Sequence, residues 1–170
     1  LPALSLLAAT NGSTNKNNGK TKRLPRMLVL APTRELAMQS HEVIADFGNC
    51  VGITSLVVYG GVSKQTQAIP LRQGQVDCIV ATPGRIKDLI QDGTCNLGNI
   101  TYLVLDEADR MLDMGFQEDV EFIIRQCPAT TSSSTISTST GTTNNNLLPR
   151  RQTCMFSATW PAAIQQLAAQ

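Results

Sequence analysis

The sequence predicts an open α/β fold, in which a parallel β-sheet is covered by helices on both faces. Short apolar runs alternate with amphipathic stretches along the chain, and the apolar runs show little inward–outward alternation. Strands that are buried on both faces contain continuous Val, Ile and Leu, as the strands of a parallel sheet do. The regular alternation of strand and helix also favours right-handed crossovers between neighbouring parallel strands.

Local patterns predict each strand and helix in turn. The predicted strands are the apolar runs at residues 27–31, 54–59, 77–81, 102–105 and 153–156. The predicted helices are the amphipathic stretches at residues 34–47, 62–73, 83–91, 116–126 and 161–169. Pro70 lies inside the second helix. Because proline has no backbone N–H and clashes with the preceding turn, we expect it to kink or end that helix near Ile69.

Length and charge restrict the class of protein. A chain of 170 residues fits one domain, or part of one, rather than two. Lys and Arg number 14 against 13 for Asp and Glu, so any contact with nucleic acid must be local and geometric rather than carried by bulk charge. Residues 11–22 and 129–146 are low-complexity segments rich in Asn, Ser and Thr, and we interpret them as insertions into the domain.

The cysteines and the apolar segments predict the compartment. The five cysteines are odd in number and form no Cys-x-x-Cys pair, which is typical of reduced thiols in an intracellular protein. The first residues contain no charged leader or cleavage pattern of a signal peptide. No apolar run approaches the roughly 20 residues that a membrane helix needs. We therefore expect an intracellular protein that has no membrane partner.

A polar string follows each predicted strand. In open α/β sheets, ligands bind in the crevice beyond the carboxyl ends of the strands, so we expect these strings to form one continuous site at one edge of the sheet. The strings are Pro-Thr-Arg-Glu-Leu-Ala at 32–37, Gly-Gly at 60–61, Thr-Pro-Gly-Arg at 82–85, Asp-Glu-Ala-Asp at 106–109 and Ser-Ala-Thr at 157–159.

The acidic string predicts a magnesium-nucleotide site. Four apolar residues followed by Asp106 and Glu107 form a Walker-B arrangement, in which Asp106 can hold a nucleotide-bound Mg²⁺, usually through water. Glu107 beside it can orient and polarise the attacking water. The alternative interpretation is an acidic helix start, which stabilises the positive end of the helix dipole.

Three other strings predict contacts with a sugar–phosphate backbone. A threonine before a helix and a proline at its first position present free N–H groups to an anion, and an arginine adds a charged fork. Paired glycines allow bare backbone to approach a phosphate. Each string alone is an ordinary cap or turn, but three at one edge favour an anion site. The predicted residues are Pro32, Thr33 and Arg34; Gly60 and Gly61; and Thr82, Pro83, Gly84 and Arg85.

The serine–threonine string offers two hydroxyl groups near the end of the acidic strand. Ser157 and Thr159 can cap the helix that follows, or they can hydrogen-bond Asp109 so that the nucleotide state is felt elsewhere. The residues alone leave both interpretations open. Trp160 and Tyr59 are expected to pack within the domain rather than to stack on bases.

Taken in order, the strings resemble motifs Ia, GG, Ib, II and III of the DEAD-box RNA helicases. Motif II is extended here to Val-Leu-Asp-Glu-Ala-Asp-Arg-Met-Leu-Asp-Met-Gly-Phe, and the match runs from about Met27 to the end of the chain. Asp109 separates this family from relatives that have His at that position. Ser-Ala-Thr-Trp-Pro at 157–161 and Val-Tyr-Gly-Gly-Val at 58–62 resemble the p68-like and Dbp-like branch.

The resemblance implies a RecA-like fold and ATP-dependent unwinding or remodelling of RNA. Motifs Ia, GG and Ib would hold the RNA backbone, motif II would hold Mg²⁺ and ATP, and motif III would couple the two. Residues 1–170 would be part of the first RecA-like domain, incomplete at the N-terminus. The implied partners are RNA and the second RecA-like domain of the same parent chain. A nuclear or nucleolar location is expected from the branch.

The family needs a phosphate-binding P-loop, with a Lys on the phosphates and a Ser or Thr on Mg²⁺. Gly19-Lys20-Thr21 is a poor candidate, because Thr14 stands where the loop needs its first glycine and no predicted strand precedes it. The first residues, Leu-Pro-Ala-Leu, resemble the end of the helix that follows the P-loop. We therefore expect the first strand, the adenine-reading Q motif and the P-loop upstream of Leu1.

Two alternatives stay open. One is a DNA helicase or another P-loop ATPase on the same fold, against which Asp-Glu-Ala-Asp together with Ser-Ala-Thr argues. The other is a non-catalytic RNA-binding or scaffold protein that has a RecA-like fold and no P-loop. The coding sequence upstream of Leu1 separates the second alternative from an enzyme.

The first prediction concerns the 170-residue chain by itself. Because its sequence contains no GxxxxGK[ST] loop, this chain should bind Mg-ATP weakly and hydrolyse none. Isothermal titration calorimetry measures the affinity, and phosphate release measures the turnover. Micromolar affinity for Mg-ATP would contradict the prediction.

Overall fold

The computed structural model describes residues 4–5, 7–8, 23–128 and 151–168. Its strands are β1 Met27–Leu30, β2 Ser55–Val58, β3 Cys78–Ala81, β4 Tyr102–Leu105 and β5 Gln152–Met155. They form one sheet in the order β2-β3-β1-β4-β5, and every neighbouring pair is parallel. The predicted open parallel sheet is therefore confirmed. The segments 11–22 and 129–146 lie outside the described residues, so their assignment as insertions stays a prediction.

Helices follow the strands along the chain. They are α1 Arg34–Cys50, α2 Lys64–Gln73, α3 Pro83–Gln91, α4 Ala108–Asp113, α5 Gln117–Gln126 and α6 Ala162–Ala168. The described residues among the first eight are also helical. Helix α4 was not predicted, because its six residues are too short to show a helical period. The other helices lie where the amphipathic pattern predicts them, with differences of a few residues at their ends.

Two apolar clusters cover the two faces of the sheet. Alternate residues of β1 point to opposite faces, so Leu28 and Leu30 belong to one cluster and Met27 and Val29 to the other. The first cluster includes buried residues of the helices α3, α5 and α6, namely Ile86, Leu89, Val120, Ile123, Ile164 and Leu167. The second includes residues of α1 and of the N-terminal helical segment, namely Ala37, Ile44, Leu4 and Leu7. The helices thus cover both faces, as the apolar strands predict.

Helix α2 does not end near Ile69, so that part of the prediction was wrong, whereas a kink at Pro70 stays a prediction. The helix passes through Pro70 and ends at Gly74, whose φ of 65° is left-handed. The N–H of Gly74 bonds the carbonyl of Leu71 at 3.1 Å, and the N–H of Gln75 bonds that of Pro70 at 3.2 Å. These two bonds form a Schellman motif, which closes the last turn of the helix. Proline removes a single helical N–H, and the helix continues through it for three more residues.

A buried ion pair ties the amino ends of three strands together. Asp77, which is 1% exposed, precedes β3 and accepts a 3.0 Å hydrogen bond from the N–H of Thr54, which precedes β2. Its carboxylate also lies 3.4 Å from Arg23 and 3.7 Å from Arg26, in the segment that enters β1. A buried carboxylate needs partners to offset its lost hydration. The contacts that Asp77 makes therefore fix the starts of β1, β2 and β3 relative to one another.

The second prediction tests this anchor. Asp77→Asn should lower the free energy of unfolding by about 3 kcal/mol, because it leaves the two arginines without their carboxylate. Urea unfolding followed by circular dichroism measures the change. Asp46→Asn, at an exposed position on α1, is the matched control and should be neutral. Equal stabilities of the two variants would contradict an anchoring role for Asp77.

Candidate active site

The carboxyl ends of all five strands lie at one edge of the sheet. The register pairs Leu30 of β1 with both Ala81 of β3 and Leu105 of β4. Val58 of β2 pairs with Ala81, and Met155 of β5 pairs with Leu105. Every strand therefore ends at the same level, and the five polar strings begin there, as the sequence predicts.

A wide-mouthed pocket of about 560 Å³ opens beyond the ends of β4 and β5. It brings residues of the acidic string together with residues of the serine–threonine string, although nearly fifty positions separate them in the chain. Phe156 and Ala158 contribute apolar surface beside the polar and charged side chains. The lining residues are Asp106, Glu107, Asp109, Arg110, Asp113, Phe156, Ser157 and Ala158.

Asp106 lies directly after β4, where its backbone N–H still bonds the carbonyl of Leu30 at 2.9 Å. Burial raises the pKa of the Asp106 carboxyl, and the neighbouring Glu107 charge raises it further, against a hydrogen bond from the backbone of Glu107 that lowers it. Both causes destabilise the ionised form of the group. A bound cation would remove this penalty, so the position is suited to a metal ion.

Glu107 has a left-handed backbone conformation, with φ 50° and ψ 54°. It is the one non-glycine residue with positive φ in the part of the chain that the structure describes. This conformation is uncommon for a residue with a side chain, and it persists because the surroundings hold it. The N–H of Ala108 bonds the carbonyl of Phe156 at 2.9 Å, and Arg110 bonds the Glu107 carboxylate at 3.1 Å.

Asp109 connects the acidic string to the serine–threonine string. Its carboxylate accepts hydrogen bonds from the hydroxyl of Thr159 at 2.8 Å and from the N–H of Thr159 at 2.9 Å. Its own N–H donates to the hydroxyl of Ser157 at 3.2 Å. Because the Thr159 hydroxyl stabilises the ionised form, the pKa of Asp109 is lowered. Of the two interpretations left open for these hydroxyls, the structure shows the contacts with Asp109.

The two threonines before helices differ in their contacts. The hydroxyl of Thr33 accepts a 3.2 Å hydrogen bond from the N–H of Leu36 and so caps α1, as predicted. Thr82 precedes α3 in extended backbone, with Pro83 at the start of the helix, but its side chain makes no capping bond. Thr82 thus stands at the N-cap position of α3, with Pro83 after it, as the sequence predicts. Because the side-chain bond is missing, the N–H groups of the first turn of α3 are left for another acceptor.

The two arginines of the predicted anion sites also differ. The Arg34 guanidinium lies 5.8 Å from the centre of the Tyr59 ring, and 52% of its side chain is exposed. Arg85 instead donates to Gln67 at 2.9 Å and to the carbonyl of Val62 at 3.0 Å. The Arg85 guanidinium, which the sequence analysis assigns to a phosphate, is thus bonded to groups of the protein itself.

Some residues near this edge were not foreseen from the sequence. Gln67 is buried and bonded to Arg85, yet a glutamine within an amphipathic helix carries no signal of that position. Arg110 of α4 contacts Glu107, the left-handed residue directly before that helix. Trp160 was expected to pack, and that expectation was wrong, since 54% of it is exposed. Tyr59 is partly buried and contacts Arg34.

Comparison with known proteins identifies the family. A family model described as DEAD/DEAH box helicase matches residues 1–167. The chain therefore belongs to the DEAD/DEAH box helicase family, and the resemblance seen in the motifs is confirmed.

Several curated relatives carry helicase names. The chain is 44% identical over 168 residues to DEAD-box ATP-dependent RNA helicase 5 of Oryza sativa subsp. japonica, covering 99% of the chain and 28% of the relative. It is 45% identical over 165 residues to ATP-dependent RNA helicase DBP3 of Cryptococcus neoformans var. neoformans serotype D, with coverages of 97% and 24%. It is 48% identical over 144 residues to probable ATP-dependent RNA helicase ddx17 of Dictyostelium discoideum, with coverages of 85% and 16%. The chain spans 16–28% of the length of these relatives.

The acidic site fits a magnesium ion that arrives with a nucleotide. Among the described residues, no group of three or more His, Cys, Asp or Glu is placed to hold a metal ion by itself. Mg²⁺ bound to a nucleotide keeps several waters and needs only one or two carboxylates, which the partly buried Asp106 with its raised pKa can supply.

Within the ranges described above, no helix has the length and apolar character to cross a bilayer.

The third prediction tests the bond between Thr159 and Asp109. In Thr159→Val the hydroxyl donor is lost, so the pKa of Asp109 should rise toward its ordinary value while the backbone N–H keeps part of the effect. Carboxyl-carbon NMR titration measures it. Thr66→Val, which removes an exposed hydroxyl on α2, is the control and should leave the pKa unchanged. An unchanged Asp109 titration in Thr159→Val would rule out the hydroxyl as the main cause.

Proposed function

We propose that the parent protein is an ATP-dependent RNA helicase, and that this chain supplies the edge of its first RecA-like domain that meets magnesium, nucleotide and RNA. The observation that carries the proposal is the contact of Asp109 with Thr159 and Ser157 inside the pocket that Asp106 and Glu107 also line. The names of the relatives, as ATP-dependent RNA helicases, support the same activity.

The acidic residues have separate roles in this mechanism. When bound, Mg-ATP supplies the phosphoryl group and the cation that neutralises its charge. Asp106 would hold the cation, in a position where burial makes an unpaired carboxylate costly. Glu107 orients the attacking water and accepts its proton, and its left-handed backbone sets the direction of the carboxylate.

The contact between Asp109 and Thr159 couples nucleotide to RNA. Asp109 belongs to the same helix start as Glu107, whereas Thr159 and Ser157 belong to the segment that leads from β5 into α6. A shift of the acidic string on ATP hydrolysis therefore moves the β5–α6 segment through three hydrogen bonds. We infer that this connection carries the coupling between the two segments.

The remaining strings hold the RNA backbone. Three chain turns at the same edge would offer backbone N–H groups to the RNA: the start of α1 at Thr33, the turn at Gly60 and Gly61, and the start of α3 after Thr82. Exposed Arg34 adds a positive charge near the glycine turn. Recognition through phosphates and sugars carries no sequence information, so RNA binding is indifferent to base sequence and sensitive to salt.

Partners and location follow from the same proposal. The second RecA-like domain of the parent chain closes on this edge and completes the site. An intracellular location is supported by the five free thiols, three of which are buried in the core. Within the cell we propose the nucleus or nucleolus, on the resemblance of the motifs to the p68-like and Dbp-like branch.

The fourth prediction tests this function in the full-length parent protein. Glu107→Gln should lower RNA-stimulated ATP turnover by roughly 100-fold or more, because the residue that polarises water is lost. Affinity for nucleotide should be retained, since Asp106 is unchanged. Turnover is measured by phosphate release, and affinity by a fluorescent nucleotide analogue.

The control for this prediction is Glu42→Gln, at an exposed position on α1. Full activity of Glu107→Gln would overturn the role assigned to Glu107. Stimulation of the unchanged protein by DNA rather than RNA would indicate a DNA motor. No turnover with either nucleic acid would favour a scaffold.

A further inference from the structure

Gln67 is a neutral polar side chain buried at the functional edge of the sheet. It lies in α2 and is 6% exposed. Among the described residues the other buried polar or charged side chains are Asp77 and Arg151, which are both ionic. A buried amide is costly unless both its donor and its acceptor are bonded, so its partners show what it holds in place.

Both ends of the Gln67 amide are bonded to functional strings. Its nitrogen donates to the carbonyl of Tyr59 at 3.2 Å, and its oxygen accepts from Arg85 at 2.9 Å. A carbonyl can only accept and a guanidinium can only donate, so chemistry alone fixes the orientation of the amide. Gln67 therefore joins the end of β2 to the start of α3.

Together Gln67 and Arg85 bracket the glycine turn, Gly60 and Gly61. The carbonyl of Tyr59, just before the turn, is held by Gln67, and the carbonyl of Val62, just after it, is held by Arg85 at 3.0 Å. The turn has no side chains of its own, and Gly61 has a left-handed φ of 86°. Its conformation thus depends on contacts made by its flanking carbonyls.

We propose that Gln67 is a positioning residue for RNA binding. Arg85 acts as a strut, that is, a side chain that holds Gln67 and the carbonyl of Val62 in place, rather than as a phosphate ligand. The pair holds the glycine turn and the first turn of α3 in one orientation, so that backbone N–H groups from both face the same stretch of RNA backbone. This inference rests on the proposed RNA-binding function and adds the residues that preorganise it. Preorganised donors lose less entropy when the ligand binds.

Arg34 provides the contrast that makes the proposal testable. Its guanidinium lies 5.8 Å from the centre of the Tyr59 ring and pairs with exposed Glu35 at 3.5 Å, and 52% of its side chain is exposed, so it is accessible to a phosphate. The terminal nitrogens of Arg85 are bonded to acceptors inside the domain. A cation that meets a phosphate releases counterions when RNA binds, whereas a strut does not.

The first experiment replaces Gln67 in the full-length parent protein. Gln67→Leu should raise the concentration of single-stranded RNA that half-saturates ATP turnover by roughly tenfold, with kcat at saturating RNA unchanged. Gln65→Leu, an exposed glutamine on the same helix, is the matched control and should behave as the unchanged protein. A purely structural role would instead lower kcat in proportion to the folded fraction, which thermal unfolding measures.

Folded Gln67→Leu protein with unchanged RNA half-saturation would overturn the inference while leaving the proposed function intact. No RNA binding by the unchanged protein would overturn both. If Gln67→Leu does not fold, Gln67→Glu serves instead, because it keeps an acceptor for Arg85 but sets an oxygen against the Tyr59 carbonyl. It too should weaken RNA binding, and unchanged affinity would overturn the inference.

The second experiment measures how RNA affinity depends on salt. Arg34→Met should reduce the slope of log affinity against log salt by about 0.7, the value for one lost phosphate contact on a single strand. Arg85→Met should weaken binding with the slope unchanged. A loss of slope in Arg85→Met equal to that in Arg34→Met would show that Arg85 contacts phosphate, and would overturn its assignment as a strut.

Discussion

The parallel strands are paired so that all of them end at the same height in the sheet. The whole site depends on this alignment. Leu30, Ala81 and Leu105 pair across three adjacent strands, and Met155 continues the row on β5. A slip of one residue in β5 would reverse the faces of its side chains and displace the following string by about 3.3 Å. The 2.8 Å bond between Thr159 and Asp109 could not survive that displacement. The buried Asp77 cluster, at the opposite edge, fixes where three of the strands begin.

The sequence predicts most of this fold because the strands are short and almost wholly apolar. β1 and β3 are buried at every position, so their apolar composition alone identifies them as strands. β5 begins instead with exposed Gln152 and Thr153, and its boundary was therefore placed one residue late. Helix α4 escapes detection because six residues do not complete two turns. Helix α2 continues through Pro70 to a Schellman turn at Gly74, and a rule about proline alone misses that end.

The membership of the candidate site is predictable, but the directions of its side chains are not. Once the sheet is known to be parallel, the five strings must meet at one edge. Whether Arg85 points to solvent or back to Gln67 depends on a contact between two helices, and no local pattern encodes it. The left-handed backbone of Glu107 likewise lies beside a tertiary contact, the bond from the N–H of Ala108 to the carbonyl of Phe156, which follows β5. Composition and period therefore predict which residues gather, whereas tertiary contacts decide what each of them can touch.

The acidic string shows how one sheet edge gives neighbouring carboxylates different properties. Burial and the charge of Glu107 raise the pKa of Asp106, whereas hydrogen bonds from Thr159 lower that of Asp109. Asp109 therefore contributes stability at neutral pH that is lost only as the pH falls through its lowered value. The ionised form of Asp106 lowers the stability of the fold at neutral pH. This destabilisation is lost as the pH falls through the raised pKa of Asp106. On acidification Asp106 is protonated before Asp109. The hydrogen bond between Asp109 and Thr159 is therefore still present when Asp106 has lost the charge that suits it to a cation.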